Sequence, residues 1–180
     1  MTARFRILLP SLLCWALLHA VSATAAESCD TLYAALLKLA QTPNHAFTES
    51  SGAIAAGRTR SSERIVTAST TYIQVSGQWR KSTMTPQQAL QMEKEALADP
   101  KRDTCRYVGE ETVDGEPAAL FSTAKEDDGG KSEGRIWISK RRGLPLRQQI
   151  HLSVGGGKVG ESQMTTRYTY DNIQPPAGVR

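Results

Sequence analysis

The side chains best suited to chemistry are few and widely spaced in this chain of 180 residues, which contains three cysteines and three histidines. A zinc site needs three or four nitrogen or sulfur ligands at characteristic spacings, and only His45 and His151 lie beyond the first 25 residues. The G-x-S-x-G sequence at 130–134 lies in a charged segment that is followed by a predicted strand and not by the helix that a nucleophile elbow requires, and the adjacent Glu110 and Glu111 would point to opposite faces of a strand. The sequence therefore predicts no metal, no cofactor and no catalytic site, which favours a protein that is not an enzyme.

The first 25 residues have the layout of a secretory signal peptide. Arg4 and Arg6 precede an apolar stretch over residues 7–18, and small residues follow over 22–26. This order is typical of a signal peptide with its cleavage site, and ~12 apolar residues are too few for a permanent membrane anchor. We expect residues 1–25 to be cleaved on export and residues 26–180 to form one domain.

Export would leave two cysteines, Cys29 and Cys105, because Cys14 lies in the signal segment. Two thiols in an oxidising compartment usually form one disulfide. Neither has a nearby histidine or a C-x-x-C motif that would lower the thiol pKa. We therefore predict a structural Cys29–Cys105 disulfide and not a reactive thiol.

The charge of the chain gives no indication of nucleic-acid binding. The formal net charge is +4, and without the signal segment 20 basic and 18 acidic residues leave +2. A nucleic-acid binder usually concentrates basic residues on one face. Nucleic acid is therefore not an expected partner.

Two amphipathic helices are predicted. Asp30 is the expected N-cap of the first, whose apolar positions recur at spacings of four and three residues (Leu32, Leu36 and Leu39). The second is expected to begin with Thr85 as its cap, Pro86 in the first helical position and Gln88 completing a capping box. It ends at Asp99–Pro100.

The remaining pattern is that of strands joined by tight turns. Strands are predicted over residues 46–54, 63–70, 71–75, 78–80, 104–113, 116–124, 135–139, 146–154 and 161–170, with a charged loop over 125–134. Adjacent hairpins with two helices favour an α+β fold with a single antiparallel sheet and the helices against one face.

Six aromatic side chains on these strands are candidates for binding a ligand. Aromatic residues dominate core burial, so they either fill the helix–sheet core or line an apolar cleft. Ile136 and Ile138 share one face of their strand, and if that face meets the helices, Trp137 is exposed or lies in a groove. The six candidates are Tyr72, Trp79, Tyr107, Phe121, Trp137 and Tyr168.

Several motifs in the C-terminal half resemble the outer-membrane lipoprotein carrier (LolA-like) superfamily. They are a V-D-G-E-P-A hairpin at 113–118, I-W-I-S at 136–139 leading into G-L-P-L-R at 143–147, and Y-T-Y-D-N-I at 168–173. The hairpin at 72–79 is similar as well, so the chain resembles a divergent, exported member over residues 28–175. The resemblance implies an unclosed antiparallel half-barrel with an N-terminal helix and a second helix packed on the sheet.

The same resemblance implies a non-catalytic periplasmic protein that binds a lipid, a lipoprotein acyl chain or another amphipathic ligand in the sheet concavity. The alternative is an envelope protein-interaction module, such as an adaptor, an inhibitor or an immunity-like factor, without a small-molecule ligand. That module would use the outer face of the sheet or the basic cluster at 140–142 to contact an acidic partner. In either case we expect a monomer, with at most peripheral contact with a membrane.

Overall fold

The computed structural model describes residues 28–99, 104–127, 130–154 and 160–179, so the predicted signal peptide at 1–25 lies outside the described residues. These described residues form two α-helices, nine strands and a short 3-10 helix (Ala53–Ala55). The helices are α1 (Cys29–Gln41) and α2 (Pro86–Ala98). The strands are β1 (Asn44–Gly52), β2 (Arg60–Val66), β3 (Thr71–Val75), β4 (Gln78–Lys81), β5 (Thr104–Val113), β6 (Glu116–Asp127), β7 (Gly130–Ser139), β8 (Pro145–Val154) and β9 (Gly160–Thr169).

The nine strands form one antiparallel sheet in the order β4-β3-β2-β1-β9-β8-β7-β6-β5. The sheet does not close, because β4 and β5 are its two edges. Every neighbouring pair except β1–β9 is also consecutive in the chain, as expected for a series of hairpins. The predicted α+β fold with an unclosed antiparallel half-barrel is confirmed.

Helix α2 follows one edge strand and precedes the other, so it connects the two edges of the open sheet and packs against α1. Its start is the predicted capping box. The Thr85 hydroxyl accepts a hydrogen bond from the Gln88 backbone N–H (3.2 Å), and the Gln88 side chain accepts one from the Thr85 N–H (2.9 Å). These two bonds satisfy donors that a helix start otherwise leaves unpaired.

Helix α1 packs on one face of the sheet, which we call the helix-side face. Side chains alternate between faces along a strand, so β6 and β7 each place every second residue against the helix. Leu32 and Phe121 are fully buried there. The full core cluster on this face consists of Leu32, Ala35, Ala119, Phe121, Ile136 and Ile138.

The opposite face of the sheet, which we call the outer face, has a smaller core around Trp137. This side chain is 2 % exposed and packs with Val113, Ala118 and Leu120. The expectation that it would be exposed or in a groove is therefore wrong. The Arg147 guanidinium lies 4.0 Å above the indole ring and shields it from water.

Four predicted boundaries differ from the structure by more than one residue. The predicted strand over 63–70 ends at Val66, because Thr67 and Thr70 hydrogen-bond to each other and turn the chain into β3. Ser28 and not Asp30 is the N-cap of α1. The predicted strand over 46–54 ends at Gly52, where a φ of 85° turns the chain into a short 3-10 helix. The prediction of a charged loop over 125–134 is wrong, because β6 continues to Asp127 and β7 begins at Gly130. Backbone pairing at the exposed end of a hairpin does not require apolar side chains, so the charged residues there do not end the strands.

The predicted Cys29–Cys105 disulfide is confirmed, with 6.0 Å between the two Cα atoms. It joins the first residue of α1 to edge strand β5. Within the described part of the chain, no helix is long and apolar enough to cross a membrane.

Candidate functional site

A cavity of about 610 Å³ lies between the two helices and the helix-side face of the sheet. Helix α1 contributes Leu36 and Leu39, and α2 contributes Ala89 and Leu97. The two positions are three residues apart in α1 and eight residues apart in α2, which places each pair on one face of its helix. The amphipathic pattern of both helices is therefore what makes this wall of the cavity apolar.

The floor of the cavity is the sheet. Apolar side chains reach it from strands on both sides of β1, including Ile73 on β3 and Ile136 and Ile150 on β7 and β8. On its helix-side face, strand β1 between them carries the small side chains of Ala46, Thr48 and Ser50, and Ala46 is buried there. Small residues in the middle of the floor leave space that bulky ones would fill.

Polar side chains interrupt this apolar lining, among them Arg64, Glu93, Gln148 and Tyr168. The Tyr168 hydroxyl donates a hydrogen bond to Gln148 Oε1 at 3.1 Å. Burial raises the pKa of Tyr168, while the charge of Arg64 lowers it and that of Glu93 raises it. Both charges therefore act on the same hydroxyl.

Glu93 lies half-buried on the cavity side of α2. Burial raises the pKa of its carboxyl above the ordinary value, because the carboxylate loses contact with water. Among the described residues, neither Glu93 nor Arg64 forms an ion pair or hydrogen bond through its side chain. Arg64 and Glu93 are thus two ionisable groups of the lining that have no ion-pair partner among the described residues.

The raised pKa of Glu93 leads to a test of stability against pH. Because the folded state binds this proton more tightly than the unfolded chain, stability falls as pH rises from about 4.5, the ordinary value, through the folded pKa. We expect Glu93→Gln to raise Tm at pH 7 and to leave it unchanged below about pH 4, where both states are protonated. Thermal unfolding followed by circular dichroism measures both values. The exposed Glu161→Gln is the control, and equal Tm values for wild type and Glu93→Gln at pH 7 would contradict this account.

Of the six aromatic candidates, Tyr168 lines the cavity. Tyr107 and Phe121 lie in the helix–sheet core with an edge-to-face contact between their rings, whose centroids are 5.6 Å apart. Tyr72 is buried on the outer face of the sheet. Trp79 lies on the same face, and the centroid of its ring is 6.5 Å from the centroid of the His45 ring. Trp137 belongs to the outer-face core. For these five residues, contact with a ligand stays a prediction.

The sequence did not single out Arg64 and Gln148. One signal was available for Arg64, because it lies two residues before Val66 and so shares its strand face. A charged residue on a core-facing position of a strand is uncommon and indicates a function or a partner. Gln148 had no comparable signal, because its contact with Tyr168 depends on the pairing of β8 with β9.

The basic cluster at 140–142 is engaged in ion pairs within the chain. Lys140 pairs with Glu110, Arg141 Nη2 lies 3.4 Å from Glu116 Oε2, and Arg142 Nη2 lies 3.1 Å from Asp171 Oδ2. The Arg142 guanidinium lowers the pKa of the Asp171 carboxyl. The cluster therefore already has acidic partners in the folded chain.

The described residues contain no group of three His, Cys, Asp or Glu side chains placed as metal ligands. No protein-family model matches the chain, and no curated protein matches it. Among solved structures, it is similar to the lipoprotein LppX of Mycobacterium tuberculosis, at 8% identity and a TM-score of 0.44 over 82% of this chain and 100% of LppX. It is also similar to LprF from Mycobacterium bovis, at 10% identity and a TM-score of 0.45 over 85% and 99% of the two chains.

A LolA superfamily protein from Nitrosomonas europaea is another similar structure, with 7% identity and a TM-score of 0.32 over 80% of this chain and 92% of that one. The superfamily that the motifs of the C-terminal half resemble is thus represented among these similar structures. Identities and TM-scores this low carry no conclusion about what the chain binds. What the cavity binds has to be inferred from its own residues.

Proposed function

We propose that this protein binds a lipid or acyl chain, without catalysis, in the cavity between the two helices and the sheet. The observation that supports this proposal is the cavity itself, at about 610 Å³ with apolar walls on both helices. Small-molecule sites typically measure about 300–1,000 Å³ and are mainly apolar with a few placed polar groups. The chain would act as a carrier or reservoir for its ligand.

The free energy of binding would come from removing hydrocarbon from water. Each buried methylene contributes about 0.8 kcal/mol. Several methylenes therefore suffice for tight binding, after the cost of losing translational and chain freedom. The apolar sides of Leu36 and Leu97 provide the surface that the hydrocarbon would contact.

The periplasm is the proposed location. The signal-like segment at 1–25 supports export, and disulfides such as Cys29–Cys105 form mainly in oxidising compartments. A carrier in that compartment would shield an acyl chain from water between membranes. We propose that it acts as a monomer.

Native mass spectrometry of protein purified without detergent, followed by organic extraction, tests this function. We expect one co-purifying lipid per chain, or stoichiometric uptake of lipid from a membrane extract. A protein that stays free of lipid in both conditions would refute the proposal.

Filling the cavity should abolish binding. Ala89 lies on the cavity side of α2, so an indole ring in Ala89→Trp would occupy the space of the hydrocarbon. We expect its affinity for an apolar fluorescent fatty acid to fall by about tenfold or more, equivalent to ~1.4 kcal/mol. Titration of the fluorescent ligand into the purified protein measures it.

The matched control is Ala98→Trp, because Ala98 is an exposed residue of the same helix outside the cavity lining. Ala96→Trp, at an exposed position that does line the cavity, provides a second blocking variant if Ala89→Trp does not fold. Unchanged affinity in a folded blocking variant would contradict binding in this cavity.

A further inference from the structure

Arg64 is a cation at the floor of an otherwise largely apolar cavity. It lies on β2, where it pairs with Ala46 of β1 and Ile73 of β3. Its side chain is exposed within the open part of the cavity and forms no ion pair with any described residue. A guanidinium presents five N–H donors in a planar fork that matches a carboxylate or a phosphate.

Two further polar groups lie across β1 from this guanidinium. Ala46 pairs with Arg64 on one side and with Tyr168 of β9 on the other. Because adjacent strands are about 4.8 Å apart and alanine is small, no bulky side chain of β1 separates Arg64 from Tyr168. The Tyr168 hydroxyl donates a hydrogen bond to Gln148 Oε1. The Gln148 amide N–H groups donate to no described residue, so they can donate to a ligand.

From this juxtaposition we propose that the ligand is an amphiphile with an acidic head group, a carboxylate or a phosphate, held by Arg64 with the Gln148 amide as a second donor. The inference rests on the proposed function, since the hydrocarbon of the same ligand would occupy the apolar part of the cavity. Charge-assisted hydrogen bonds of this kind are about twice as strong as neutral ones. A neutral head group would accept only ordinary hydrogen bonds from the guanidinium.

The other charged groups that line the cavity are Glu93, Lys125 and Asp99. Lys125 adds a second positive charge. Glu93 on α2 opposes an anion, but burial already favours its neutral form, and an anion bound nearby would favour it further. Asp99, at the C-cap of α2, adds one negative charge. With Glu93 neutral, the lining carries two positive charges and one negative charge, so it accepts an anion at Arg64 better than a cation.

Ligands that share one sixteen-carbon chain and differ in the head group test this inference. The series comprises palmitate, hexadecyl phosphate, hexadecanol and hexadecyltrimethylammonium, each used to displace an apolar fluorescent probe. We expect the two acids to bind about tenfold or more tightly than hexadecanol, and the cation to bind most weakly. Inorganic phosphate is included to distinguish a lipid head group from a free anion, and it should not displace the probe.

Arg64→Gln should remove the preference for acids while binding of hexadecanol stays unchanged. Arg64→Lys keeps the charge without the fork and should retain part of the preference. The control is Arg60→Gln, an exposed residue of the same strand that does not line the cavity. Circular dichroism verifies that each variant is folded.

The outcomes separate the two proposals. Equal affinity of acids and hexadecanol for wild type, or an acid preference that survives in Arg64→Gln, would overturn the head-group inference and leave lipid binding in place. Failure of every long-chain ligand to displace the probe would overturn both. Binding of inorganic phosphate that requires Arg64, without binding of any long chain, would indicate a site for a free anion and reject the amphiphile.

Discussion

Replacing both cysteines of the disulfide with serine (Cys29→Ser with Cys105→Ser) is expected to lower the free energy of unfolding by about 4 kcal/mol. The two residues are 76 positions apart, so the bond restricts a long loop of the unfolded chain. It also holds the start of α1 on edge strand β5, where Cys105 packs against the helix–sheet core. Losing the bond would therefore favour the unfolded state. It would also loosen the attachment of α1, which forms one wall of the cavity, to the sheet.

Urea unfolding followed by circular dichroism measures this loss. Wild-type protein with a reducing agent is the companion sample, and it should show the same loss as the double variant because both lack the bond. A change below ~1 kcal/mol in both samples would mean that packing of α1 on the sheet stabilises the fold without the bond. Ligand affinity measured below the unfolding transition then shows whether the cavity survives.

Replacing Trp137 with alanine is expected to cost about 3–5 kcal/mol of stability. The side chain is 2 % exposed in the outer-face core, and its Nε1–H donates to Glu111 Oε2 at 2.6 Å. Truncation would leave a cavity, remove a donor from the Glu111 carboxylate and expose the space under Arg147. The result should be a large fall in the urea midpoint.

The same variant tests whether Trp137 contacts a ligand. Since the cavity lies on the other face of the sheet, we expect the folded fraction of Trp137→Ala to bind the fluorescent fatty acid with unchanged affinity. Trp79→Ala, at a less buried position beside His45, is the comparison and should cost less stability. A loss of affinity with intact stability in Trp137→Ala would instead make this tryptophan part of the binding site.

An unpartnered arginine changes what kind of lipid is expected in the cavity. A wholly apolar lining would accept any hydrocarbon of suitable size, because burial of methylenes is not selective. Arg64 beside the Tyr168–Gln148 pair adds directional donors at one place. Hydrogen bonding to a specific group discriminates between ligands more strongly than apolar contact does.

Local patterns in the sequence were enough to predict most elements and the class of fold. The capping box at Thr85 and the turn at Asp114–Gly115 depend on residues a few positions apart, so the chain around them contains all the required information. The disulfide was predictable because only two cysteines lie beyond the predicted signal segment. The extent of the β6–β7 hairpin could not be predicted in this way. Backbone hydrogen bonds hold its end together, and the charged side chains there do not indicate that the strands continue to pair.

Residues a few positions apart thus specify the two helices, the tight turns and the alternation of side chains along each strand, and the cysteine content specifies the disulfide. How the two faces of the sheet are used depends on long-range packing, since alternation separates Ile136 from Trp137 without stating which face meets the helices. Trp137 is buried because Arg147 of the next strand covers it. The placement of Arg64 and Tyr168 in one cavity depends on the long-range pairing of β1 with β9. This pairing puts Tyr168 on the opposite side of Ala46 from Arg64. Such a contact joins residues about a hundred positions apart, and no local propensity encodes it.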